Sequence, residues 1–220
     1  MMPTDPQTAP PGSAAANDER ARADVITAAA SDLLEEGGLE GLTVRAVLRR
    51  TGLARRAFYE SFAGKDDLVL AVFERTLKDA SERFREQVRG FADPVERIRA
   101  IVAGIILGRL LAPGADGIAG ADRRGAALSR EHLRLAEARP RELDAALAPL
   151  LALIAELVAE GIAAGGLREC DPALQARLIY NLVSTTAQIE LLTHEGPLDR
   201  ERRVLLLDHI WEFCRRAIVR

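Results

Sequence analysis

The chain has 220 residues, of which 48% are apolar and 29% charged, and a formal net charge of −3, a length that lets a globular fold bury roughly 70% of its unfolded surface. With only 4% aromatic residues, few β-branched runs and abundant Ala, Leu, Glu and Arg, the composition predicts an all-α protein without a sheet. No apolar stretch reaches the ~20 residues of a membrane span and no basic segment leads into an apolar one near the start, so a cytoplasmic protein without anchor or signal is expected.

Residues 1–17 are rich in Pro, Thr, Ala and Gly and carry no periodicity, which predicts a disordered tail. A first helix is expected over residues 18–36, with Val25, Ala29, Leu33 and Ile26, Ala30, Leu34 forming an apolar stripe and Gly37-Gly38 as its stop.

Residues 43–62 read as a helix-turn-helix. The Thr43 hydroxyl can accept from an orphan amide in the first turn of a short helix, and Val44, Val47 and Leu48 then share one face at i, i+3 and i+4. That face must be buried. Gly52, just past the last periodic residue, can take the left-handed conformation that ends the helix, and Leu53 drops beneath the turn. In a second short helix Phe58 and Phe62 form the inner side, which leaves Arg55, Arg56 and Tyr59 outside and around its start.

From Thr43 to Lys65 the cations are Arg45, Arg49, Arg50, Arg55, Arg56 and Lys65, opposed by Glu60 alone on a chain that is acidic overall. Such a patch suits phosphate. Arginines on short helices also describe an ordinary solvated face; the capping Thr, the turn Gly and the aromatic pair favour the first reading.

These residues resemble the DNA-binding module of TetR-family transcriptional regulators. The family's Thr-x-Arg opening appears as Thr43-Val44-Arg45, its turn as Thr51-Gly52-Leu53, its recognition helix as Phe58-Tyr59-Glu60-Ser61-Phe62, and its Lys-acid-acid-Leu start as Lys65-Asp66-Asp67-Leu68. Ala54 stands where a capping Ser is usual and Ala57 where a Thr is usual. The likeness covers about the first third of the chain. It implies a DNA-binding domain over residues 20–80 and a helical ligand-binding and dimerisation domain over residues 81–220.

The next helix is expected to start at Lys65 and run toward Arg89, with Asp66 and Asp67 at the positive end of its dipole and Leu68, Val69, Val72, Phe73 and Leu77 facing the core. Asp93-Pro94-Val95-Glu96 combines an N-cap, a first-turn Pro and a capping-box Glu. The helix behind it, through Ile98, Ile101, Val102, Ile105 and Ile106, is apolar enough to be central. Residues 112–120 read as a loop, and helices are expected over residues 123–138, 140–164, 171–193 and 197–219. Cys170 and Cys214 show no metal or disulfide spacing, so both are expected to be reduced core residues, with no metal or cofactor.

The resulting expectation is a dimeric, sequence-specific DNA-binding regulator, a repressor released from a palindromic operator by a small, largely apolar ligand. Two heads would sit in major grooves roughly 34–36 Å apart, and the resemblance implies a homodimer through the last two helices. Arg55 and Arg56 are candidates for base contacts. Thr43, Arg45, Tyr59 and Lys65 are assigned to phosphates, with Ala57 at a family contact position. Tyr59 also suits a half-buried packing role, and Arg45 a surface ion pair. Arg109, His132, Asn181, Thr185 and Gln188 are the polar candidates for a ligand cavity, although such residues are more often satisfied at a helix surface or subunit interface. The chain has no Gly-x-Ser-x-Gly, His-Glu-x-x-His or phosphate loop, so an enzyme is not expected. A ligand-independent DNA-binding protein is the main alternative and a helical enzyme the remote one.

Overall fold

The structure is a computed structural model that describes residues 11–107, 118–193 and 200–220. The amino-terminal head comprises α1 (Pro11–Gly41), α2 (Val44–Thr51), α3 (Arg55–Ser61) and the start of α4 (Lys65–Val88). The body adds α5 (Pro94–Leu107), α6 (Ile118–Ala138), α7 (Pro140–Ala163), α8 (Pro172–Thr193) and α9 (Arg200–Ile218). Among the described residues the sole β pairing is an isolated antiparallel bridge between Leu167 and Val219.

Helix α7 is the hub of the body, packed by α4, α5, α6 and α8. Its Leu143, Leu147, Leu150, Leu153, Ile154, Leu157 and Val158 are buried, because a helix enclosed on several sides must be apolar over most of its circumference. This helix is long and apolar enough to cross a membrane by length and composition. The buried core helix of a soluble protein passes the same test, and α7 is enclosed by four other helices. Helix α5 fills the neighbouring layer through Ile98, Ile101, Val102 and Ile106, all buried, with Ile105 half buried. Asp93 caps it, its Oδ1 accepting the Val95 amide at 3.0 Å.

Two glycines allow close approaches between elements. A Cβ on Gly104 of α5 would lie 2.2 Å from Cε1 of Phe84 on α4, and one on Gly161 of α7 would lie 2.5 Å from Cδ1 of Leu167. The latter seats Leu167 beneath the end of α7, where the Arg168 amide donates to the Ile218 carbonyl at 2.9 Å and ties down the end of α9.

Several expectations shift. Helix α1 begins at Pro11, inside the segment read as a tail, since Pro is preorganised for a first turn and Ala14 to Ala16 propagate it. The expected stop at Gly37-Gly38 appears as a break, Gly38 having φ 60° and ψ −158°, after which a further turn reaches Gly41. Val25 is 51% exposed, so the α1 stripe is narrower than its spacing suggests. Helix α6 starts at Ile118, within the stretch read as a loop; the remainder of that stretch, residues 112–117, lies outside the described residues. Cys214 is buried as expected, but Cys170 is exposed because it sits between Glu169 and Asp171 in the turn before α8 rather than on a core face.

Candidate nucleic-acid interface

The turn joining α2 and α3 is built from single backbone requirements. The Thr43 Oγ1 accepts the Ala46 amide at 3.1 Å, satisfying one orphan donor at a typical gain of about 1 kcal/mol. Gly52 ends α2 at φ 69°, and its amide donates to the Leu48 carbonyl at 2.9 Å. The Thr51 hydroxyl closes the turn, donating to the Val47 carbonyl at 3.0 Å and accepting the Leu53 amide at 3.3 Å. Ala54 supplies no side-chain cap to α3.

Beneath this turn Val47, Phe58 and Phe62 are buried with Leu42, Leu34 and Ile26. The Phe58 ring meets Phe62 at 5.8 Å between centroids and Tyr59 edge-on at 5.3 Å. This packing fixes the rotation of α3 and turns Arg55, Arg56, Tyr59 and Glu60 outward, all exposed, with Ala57 half buried between them. Thr43, Arg45, Arg49 and Lys65 are exposed as well.

The cations of this face are not equivalent. Arg50 forms a two-pronged pair with Glu36, at 2.8 and 2.7 Å. That hydrogen bonding holds the Glu36 carboxyl below its ordinary range and the Arg50 guanidinium above its own, so Arg50 is engaged internally. Arg45 and Arg49 have no acidic partner among the described residues. Arg55 lies over the Tyr59 ring, 5.5 Å from its centroid, and donates from Nη2 to the Tyr59 hydroxyl at 3.4 Å. The Lys65 Nζ donates to the Leu39 carbonyl at 2.8 Å, stapling α4 to the turn after Gly38. Glu60 accepts from Arg56 Nε at 2.8 Å and from Arg22 Nη1 of α1 at 3.3 Å.

Residues 26–72 match the family model of the bacterial regulatory proteins of the tetR family. The amino-terminal head is a TetR-family module. The whole described chain shares the fold of solved TetR-family regulators. A TetR-family transcriptional regulator from Pectobacterium atrosepticum superposes with a TM-score of 0.72 at 22% identity, covering 93% of this chain and 96% of its own. The fatty acid degradation regulator FadR from Bacillus halodurans gives 0.65 at 18% identity, with 94% and 96% covered. FadR from Bacillus subtilis in complex with stearoyl-CoA gives 0.65 at 19%, with 87% and 96% covered. A search of curated proteins by sequence returned no match. The family match over residues 26–72, set in this fold, supports a DNA-binding transcriptional regulator.

Within this fold the head candidates Thr43, Arg45, Arg55, Arg56, Ala57, Tyr59 and Lys65 all fall on α2, α3, their caps or the start of α4. The body candidates do not converge in the same way. His132 is half buried on α6, its ring edge-on to Phe73 of α4 at 5.7 Å, and burial lowers its pKa from the ordinary 6.5. Gln188 is half buried on α8, whereas Asn181 and Thr185 are exposed on its outer side. Arg109 lies outside the described residues. Sequence reasoning counted Glu60 only as the charge opposing the patch and missed its pairing with Arg56 and Arg22. The i, i+4 spacing of Arg56 and Glu60 was a usable signal; nothing local links Arg22 to either.

Proposed function

We propose that the chain is a homodimeric repressor that binds a palindromic operator and releases it when a small, largely apolar ligand enters the body. The observation that carries the DNA-binding part is the cationic outer side of α2 and α3, held in place by the buried Phe58 and Phe62 pair. Arg55 and Arg56 are assigned to base edges, where a bidentate guanidinium discriminates by ~1–3 kcal/mol. Thr43, Arg45, Tyr59 and Lys65 are assigned to phosphates, with the backbone near Ala57 approaching closely.

The dimer is assigned to α8 and α9. On α8 Leu174, Leu178 and Ile189 are exposed on the same outward side as Asn181 and Thr185, and on α9 Leu205 and Phe213 are 60% and 65% exposed. Large apolar side chains left in water on two long helices favour a covered face. Asn181 and Thr185 therefore fit that interface better than a cavity, and His132 and Gln188 remain the ligand candidates. An apolar effector is favoured by the core-facing helices around His132 and by the stearoyl-CoA held by the Bacillus subtilis neighbour.

The test is selection from a random duplex library with the full chain, combined with its mass in solution. Enrichment of a two-fold symmetric site by a dimer supports the reading. A monomer, or a dimer that enriches no sequence, overturns it. A thermal-shift screen of acyl and aromatic compounds checks the effector arm, which fails if no compound both stabilises the protein and releases the selected site.

A further inference from the structure

The Glu60 carboxylate is the one acidic group between Thr43 and Lys65, and a like charge facing phosphate should weaken binding. Its geometry gives it a use. Oε1 accepts from Nε of Arg56, one turn earlier on α3, at 2.8 Å. Oε2 accepts from Nη1 of Arg22 on α1 at 3.3 Å. Arg22 is itself steadied by donating Nε to the Asp18 carbonyl at 3.2 Å.

The consequence for Arg56 follows from how a guanidinium is built. Its donors form a rigid planar fork, so anchoring one of them fixes the plane of the rest. The anchor falls on Nε, while the Arg56 side chain as a whole remains 89% exposed. Both terminal nitrogens are thereby left for the two acceptors of a guanine edge, in one preset plane, and less side-chain entropy remains to be lost on contact.

We propose that Glu60 is a positioning residue for sequence discrimination: bridged to α1 through Arg22, it presets the Arg56 guanidinium for a base edge and withholds it from nearby phosphates. This rests on the DNA-binding reading above and deepens it. The chain of contacts Arg22 to Glu60 to Arg56 also makes the aim of Arg56 depend on where α1 lies against α3.

The test uses the full chain, the duplex it selects from a random library, single-base variants of that duplex, and a scrambled duplex of the same composition. Binding is read at several salt concentrations for the wild type, Glu60→Ala, Glu60→Gln and Arg22→Ala. Glu60→Ala should lower discrimination at the Arg56 base pair by about tenfold. It should also tighten binding to the scrambled duplex and steepen the log K against log salt slope by about one unit, as the freed Arg56 takes a phosphate. Glu60→Gln keeps an acceptor for Nε without the charge. It should retain most of the discrimination, and Arg22→Ala should fall between wild type and Glu60→Ala.

The proposal is overturned if Glu60→Ala selects the same site with unchanged discrimination, or if Gln and Ala lose discrimination equally, which marks a simple charge effect. It is overturned too if Glu60→Gln exchanges the preferred base, since Glu60 then reads the base itself. If the wild type enriches no sequence at all, the underlying DNA-binding reading has failed and this one falls with it. Glu60 and Arg22 are solvent-facing, so thermal melts of all variants should match the wild type within a few degrees.

Discussion

Arg139, at the joint between α6 and α7, donates from Nη1 to Oδ1 of Asp67 in the first turn of α4 at 2.7 Å, while Oδ2 of the same Asp67 accepts the Ala63 amide at 3.1 Å. One carboxylate thus caps the turn leaving the head and ties the head to the body. Nearby, Arg134 reaches Asp66 at 3.2 Å and Arg124 reaches Glu35 at 2.7 Å. Three arginines on or beside α6 therefore hold three acids of α1 and α4.

The two roles of Asp67 separate by mutation. Arg139→Ala removes two partly exposed ion pairs, to Asp67 and to Glu142, and should cost no more than about 1 kcal/mol. Asp67→Ala removes the amide's acceptor as well and should cost about 1–2 kcal/mol. Urea unfolding at low and high salt checks this. Added salt should erase most of the Arg139→Ala effect and leave the larger part of the Asp67→Ala effect, whereas equal costs at every ionic strength would mean that the cap contributes nothing.

The contact between Gly104 and Phe84 makes a packing prediction. With a Cβ 2.2 Å from the ring carbon Cε1, Gly104→Ala forces the buried Phe84 off its position, at about 1–3 kcal/mol. Adding Phe84→Leu opens space for the new methyl, so the double variant should be more stable than the sum of the two single losses. Denaturation midpoints at one fixed protein concentration measure this; strict additivity would rule out the clash as the cause.

Lys65 is one of two lysines in the chain, and its hydrogen bond to the Leu39 carbonyl places its charge beside the last turn of α1. Lys65→Ala should weaken binding to the selected and the scrambled duplex by the same factor and lower the salt slope by about one unit. Arg56→Ala should instead relax preference at one base pair. A Lys65→Ala protein with an unaltered salt slope would remove Lys65 from the phosphate contacts.

What could be read ahead of the structure divides along a physical line. Thr43, Gly52 and Asp93 were legible as caps because each answers a demand of the backbone within four residues of itself, and Phe58 and Phe62 because one helical turn separates them. The starts of α1 and α6 were not, since composition rich in Gly, Ala and Pro looks like loop although a neighbouring helix propagates through it. The pairing of Arg50 with Glu36, 14 positions away, and of Arg22 with Glu60, 38 positions away, depends on how helices cross. Sequence patterning counted Arg50 as a cation for DNA; only the fold spends it on Glu36. Likewise the polar residues of α8 lay on an apolar helix in sequence, but which side was inward depended on α5, α6 and α7 packing against it.

His132 predicts a pH dependence. Its folded pKa lies below the ordinary 6.5 because burial against α4 disfavours the charged ring. Between that lowered value and 6.5 the unfolded chain holds more protons than the folded one, so this contribution is complete above pH 6.5 and is lost as pH falls through the folded pKa. Glu74 on α4 opposes it, since burial raises its pKa above 4.5 and a retained proton favours the folded state as pH falls. One proton limits the slope to about 1.4 kcal/mol per pH unit. The urea midpoint of the wild type should fall between pH 7.5 and 5.5, and that of His132→Leu should fall less. Identical pH profiles would free His132 of the effect.

The outward side of α8 and α9 makes the last prediction. Phe213 is 65% exposed and Leu178 is 54% exposed, so neither supports the fold of a single chain by much, while a helix–helix dimer would bury both. A charge placed there meets its symmetry copy across a two-fold axis, adding like-charge repulsion to lost apolar contact. Phe213→Asp should therefore give a folded monomer by sedimentation, with unchanged helical circular dichroism. It should also bind the selected palindrome far more weakly while binding a half-site about as well as the wild type does, because coupling two heads raises affinity through effective concentration alone. If Phe213→Asp and Leu178→Asp both remain dimeric, the subunits meet through another face and the assignment of α8 and α9 is wrong.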